Sequence, residues 1–143
     1  MNEEEKKVKH LELIQANILR MNQCSFQMKG WMLTIVSALL ALYAASISVE
    51  TGQGNNIFII IAILPTVLFW YLDSYYLQQE KKFRGVYNDV ISDDKEVKIK
   101  EFDMPLGQYE GCKYCLLRIM FSKTEAPLYL ITIIALTIAG LFI

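Results

Sequence analysis

GWMLTIVSALLALYAASISV, Gly30 to Val49, carries no charged residue over 20 positions. Wound as a helix at about 1.5 Å per residue, it reaches roughly 30 Å, the thickness of a bilayer's hydrocarbon layer. Trp31 stands at one end, where an amphipathic ring favours the interface. A second uncharged run extends from Thr51 to Leu72, apolar from Ile57 onward and holding Pro65, which a spanning helix tolerates as a kink. A third covers Ala126 to Ile143, 18 residues, enough to cross with a small tilt. Three such runs in a chain of 143 residues would bury more apolar surface as soluble core helices than the remainder could cover. The opening MNEEEKKVKH is followed by mixed residues and not by an apolar stretch, so a signal peptide is not expected.

The charge outside these runs sets an orientation. All 14 Lys and Arg fall before the first run or between the second and third, and ETGQGNN, Glu50 to Asn56, has none. The positive-inside bias therefore puts the amino terminus and residues 81–124 in the cytoplasm, with the 50–56 loop and the last residue outside. The expected fold is an all-α integral membrane protein: a long antiparallel helical hairpin whose two spans extend into the cytoplasm, plus a third, carboxyl-terminal span. Its parts are a cytoplasmic amphipathic helix over 1–30, span 1 over 31–49, the outer loop 50–56, span 2 over 57–79 and a helical extension over 80–91. A cytoplasmic segment with an interfacial helix follows over 92–125, then span 3 over 126–143. A two-span arrangement, with 126–143 lying on the membrane, leaves the same cytoplasmic face.

Leu11, Ile14, Ile18, Met21, Ser25 and Met28 recur at spacings of three and four, and the stripe runs on into Met32. The first helix is expected as one rod from about Glu3 to Ser48. Leu72, Tyr76, Gln79, Phe83, Val86 and Val90 make a similar stripe past the second run, with Glu80 and Arg84 as an i,i+4 pair. The two stripes can bury each other in a hairpin seam, and part of that seam can pair with other copies. Ser92-Asp93-Asp94 reads as a turn. EVKIKEF after it alternates, with Val97 and Ile99 on one side, as a short extended segment does. KYCLLRIMF, Lys113 to Phe121, suits a helix lying along headgroups.

Chemistry has little to work with. The charges nearly cancel, 14 basic against 15 acidic, so net charge gives no support to nucleic-acid binding. Cys112 and Cys115 form C-x-x-C, but zinc needs two further ligands, and Cys24 and His10 are about 21 Å apart along one helix. A thioredoxin-like reading lacks its βαβ setting. Reduced thiols beside a membrane, open to palmitoylation, are the plain reading. His10 is expected on an exposed helix, so no Ser/His/Asp set is available. No catalytic, metal or cofactor residues are expected.

Two features stand out. Asp73 follows FWYL, yet SYYL continues the apolar pattern beyond it, so a carboxylate sits at or just inside the boundary. Lys29 lies at about the same depth on the neighbouring helix, and a Lys29–Asp73 interfacial pair is one expectation; an unpartnered, snorkelling Asp73 is the other. Thr34, Ser37, Ala41, Ala44 and Ser48 share one face of span 1. Small side chains allow close helix approach, and the face suits span packing, oligomer packing or the lining of a watery path.

HLELIQANILRMNQCSFQMKGWMLTIVSALLALYA (10–44), FWYLDSYYLQQEKKFRGVYNDV (69–90) and the GCKYC…FSKTEAPLYL segment together resemble small bacterial membrane proteins similar to the SLATT-like effectors of anti-phage defence. The resemblance implies an inner-membrane protein that assembles or opens when a separate sensor detects infection, and then damages the membrane. A third span and the absence of an obvious nucleotide-binding domain depart from the two-span effectors, which favours activation by a soluble cytoplasmic sensor or defence partner. It implies no catalytic residues. Beside this homo-oligomeric effector stands a second reading from another class: a non-conducting membrane anchor or adaptor that docks a soluble partner through residues 81–124.

Overall fold

The computed structural model describes residues 2–49, 54–92 and 99–142. Its elements are α1 (Glu3–Ala45), α2 (Ile57–Ile91), two 3₁₀ turns (Leu106–Gln108 and Cys112–Tyr114), α3 (Leu116–Met120) and α4 (Ala126–Phe142). Among the described residues every regular element is helical. Both α1 and α2 contain a stretch long and apolar enough to cross a membrane. Only 22% of that stretch in α1 and 33% in α2 is buried within the chain, far below the burial of a soluble core helix. α4 is as uniformly apolar but shorter, at 17 residues.

The helix ends follow from local chemistry. Glu3, Glu4 and Glu5 place negative charge on the first turn of α1, where the helix dipole favours it. α1 stops at Ala45 and not at Ser48. Ser46 turns the chain: its hydroxyl donates to the Tyr43 carbonyl at 2.7 Å and accepts the Asn55 N–H at 2.8 Å. Asn55 in turn accepts the Ile57 N–H through its side chain at 3.1 Å, satisfying a free donor at the start of α2. Pro65 lies inside α2, and Thr66 returns a hydrogen bond to the Ala62 carbonyl at 2.8 Å. Pro127 sits in the first turn of α4, where a missing N–H costs no helical bond.

The chain divides into two compact units. The first comprises Met1–Ser25 and Ser74–Ile119. Its core is Ile14, Phe83 and Val86, with Ile18, Met21, Tyr87 and Val90 packed around them and Ile99, Met104, Leu106 and Tyr109 closing over from the later segment. Ile14, Ile18 and Met21 of the first stripe and Phe83, Val86 and Val90 of the second thus meet here, and Leu11 is half-buried. Arg84 Nε lies 2.7 Å from Glu80 Oε1, the expected i,i+4 geometry.

One expectation for this unit is corrected. His10 is not exposed; it is buried, its ring nitrogen 2.9 Å from the Asp103 carbonyl oxygen and its ring beside Phe102. The segment that covers it turns at Phe102, which adopts a left-handed φ of 61°. Asp93, Asp94 and Val97 lie outside the described residues, as do residues 50–53 of the outer loop. Over the Lys113–Phe121 stretch the helix is broken: the Cys112–Tyr114 turn comes first, and α3 is a single short helix after it.

The same segment is seated on α2 by aromatic residues. Tyr109 donates to Asp89 Oδ2 at 2.5 Å, and Gln78 donates to the Tyr114 carbonyl at 2.7 Å. Gly85 makes this approach possible, because a Cβ there would fall 2.6 Å from the Tyr109 ring. Burial, reinforced by the hydrogen bond to the Asp89 carboxylate, raises the Tyr109 hydroxyl well above its ordinary pKa.

The second unit comprises Phe26–Asp73 and Met120–Ile143. Met32, Val36 and Tyr43 of α1, Ile59, Ala62 and Trp70 of α2, and Ala126, Tyr129 and Leu136 of the last segment form its core. Trp70 joins α2 to the last segment within this core. Its indole N–H donates to the Met120 carbonyl at 3.1 Å, it stacks on Tyr129 at 5.8 Å, and it meets Phe121 edge-on at 5.3 Å.

Candidate functional site

The second unit holds a buried charge cluster. Lys29 stands on α1 between the core positions Met28 and Met32, so its stem is held by the turn that buries them. Asp73 lies three residues beyond Trp70 on the inward stripe of α2, and its side chain is fully buried. Lys29 Nζ lies 2.6 Å from Asp73 Oδ2 and 2.8 Å from Glu125 Oε2. Tyr129 donates its hydroxyl to Asp73 Oδ2 at 2.8 Å. Glu125 immediately precedes α4, and Tyr129 follows it by four residues, one helical turn on. One ammonium and one phenol thus face two carboxyl groups, at distances of charge-assisted hydrogen bonds.

Such a cluster is costly to build. Carboxylates withdrawn from water repay their desolvation only through close, well-directed partners. Glu125 is only 6% exposed, and burial is the first cause that pushes its carboxyl up, to about 7. The neighbouring Asp73 carboxyl acts in the same sense, while Lys29 opposes it.

The structure brings Lys29 and Asp73 together, as the matched depths led one to expect. Glu125 and Tyr129 were not foreseen in the site. The available signal was the position of Glu125 as the final charge before the third apolar run, with a Tyr one helical turn later.

The small-residue face behaves differently. Thr34, Ser37, Ala41, Ala44 and Ser48 are all exposed, whereas Met28, Met32, Val36 and Tyr43 do the packing within the chain. The Thr34 hydroxyl bonds back to the Gly30 carbonyl at 2.9 Å, one turn below on the same helix. The seam residues Ile14, Ile18, Met21, Phe83 and Val86 lie together in the first unit. Cys112 and Cys115 are exposed free thiols, and Cys24 is half-buried. Among the described residues no three metal-ligating side chains come together. Compared with family models, curated proteins and solved structures, the chain matches none.

Proposed function

We propose that this chain is a multi-pass protein of the bacterial inner membrane that self-associates and disrupts the membrane when a partner sensor triggers it, in anti-phage defence. The observation that carries the reading is the exposure of the apolar parts of α1 and α2. Leu33, Leu40, Ile60, Leu64, Val67 and Leu68 all face outward, a surface that needs lipid or other copies of the chain to cover it. In this reading α1 and α2 form the antiparallel hairpin, α4 is the third span, the amino terminus is cytoplasmic and the carboxyl terminus is outside. The defence role rests on the resemblance of residues 10–91.

Thr34, Ser37, Ala41, Ala44 and Ser48 form the contact between copies, because in-chain packing leaves them uncovered. The expected result is depolarisation of cells over-expressing the chain, read with a membrane-potential dye, and its abolition by Ser37→Trp or Ala41→Trp at equal membrane abundance. Depolarisation that survives both substitutions would remove this face from the assembly.

One observation favours the anchor reading. The seated segment of the first unit leaves an open cavity of about 430 Å³ lined by Gln78, Lys82, Tyr109, Glu110, Cys112 and Tyr114. A soluble partner held there, with membrane potential intact under every activating condition, would favour an adaptor over an effector.

A further inference from the structure

We propose that the Lys29–Asp73–Glu125–Tyr129 cluster is a proton-binding site, which holds one proton on a carboxyl group and gives it up as pH rises through neutrality. The argument begins with charge. Two carboxyl groups share a single ammonium at 2.6 and 2.8 Å. Fully ionised, the buried cluster carries one uncompensated negative charge, which an interior of low dielectric tolerates poorly. The cheapest remedy is one proton on a carboxyl group.

Hydrogen-bond chemistry agrees. The groups facing Glu125 are Lys29 from α1, Asp73 from α2 and Tyr129 from α4. Lys29 forms an ion pair with each carboxyl group, and Tyr129 donates its hydroxyl to Asp73. Both carboxyl groups reach the same ammonium, so they are close neighbours, and a hydrogen on one of them relieves their mutual repulsion. The elevated Glu125 carboxyl marks that residue as the proton carrier. On its release, the carboxylates oppose each other beside one ammonium, and the hold of α4 on α1 and α2 within the unit weakens.

The pH window follows from linkage. Glu125 takes up its proton at about 7 in the folded chain and at 4.5 in the unfolded one. Its contribution to stability is therefore full below the unfolded value and is lost as pH rises through the folded value. The site does not depend on whether the assembled protein leaks.

The test uses the full chain in lipid nanodiscs, with thermal unfolding and the infrared carbonyl stretch of protonated carboxyl groups followed from about pH 5 to about pH 9. The unfolding temperature should fall by about 5–10 °C across that interval, with parallel loss of a carboxyl band. Glu125→Gln supplies a neutral amide in place of the protonated acid, so it should fold, flatten the profile and remove the band. Asp73→Asn leaves Glu125 alone with Lys29 and should shift the band's disappearance to lower pH. A wild-type chain with no carboxyl titrating near neutrality, or a Glu125→Gln profile that matches wild type, overturns the proposal in favour of a permanently ionised cluster.

Discussion

Replacing Lys29 with Met should lower the unfolding free energy by about 3 kcal/mol at neutral pH, measured by denaturant titration of the full chain in nanodiscs. The substitution preserves most of the stem and removes only the ammonium. Asp73 and Glu125 then face each other at one buried site, with Tyr129 as the remaining donor to Asp73. Loss of one member of a buried ion pair ordinarily costs about 3–5 kcal/mol, because the other charge stays desolvated. The lower end is expected here, since a carboxyl group can take up a proton and limit the damage. For the same reason the defect should shrink in acid and grow in alkali. Adding Asp73→Asn and Glu125→Gln to Lys29→Met neutralises the whole cluster and should recover most of the loss. A cost below about 1 kcal/mol for Lys29→Met would mean that the pair is screened as surface ion pairs are.

The second large effect is expected at Gly85. Any side chain there meets the Tyr109 ring at 2.6 and 2.7 Å and the Tyr114 hydroxyl at 2.9 Å. Gly85→Val should expel both rings, break the Tyr109–Asp89 hydrogen bond and release residues 106–115 from α2. Overpacking of this kind costs about 1–3 kcal/mol. Amide exchange in 106–115 should therefore accelerate about 10- to 100-fold, with the amides of α1 little changed. Gly85→Ala should be milder, since Ala regains about 1 kcal/mol of helix propensity over Gly. In Gly85→Val/Tyr109→Ala the obstructing ring is gone, so the two losses should not add. Unchanged exchange in Gly85→Val would show that the rings find another seat.

Much of the architecture was written in the sequence as periodicity. The uncharged run at Gly30–Val49 and the stripe from Leu11 to Met32 define α1 almost to its ends, because helix burial repeats every three or four residues. The seam of Ile14, Phe83 and Val86 was legible for the same reason. What escaped depends on contacts distant in sequence. His10 looks exposed on its own helix, and only the segment around Asp103, 93 residues away, buries it. Glu125 stands 52 positions from Asp73, and no local pattern ties a carboxylate on one element to a carboxylate on another. The small-residue face was readable as a face but not as an exposed one. Which side of a helix turns inward depends on the competition between faces, and Met28, Met32, Val36 and Tyr43 bury more apolar surface than Thr34, Ser37, Ala41 and Ala44.

The surroundings of Trp70 also make the molecule its own optical gauge. The chain has two tryptophans: Trp31, exposed, and Trp70, enclosed by Tyr129 and Phe121 with its indole N–H held by a carbonyl. A Trp31→Phe variant would confine the emission to Trp70, three residues from the buried carboxylate of Asp73. Any rearrangement of α4 against α2 would then register as a change in fluorescence wavelength or quenching, with no label attached.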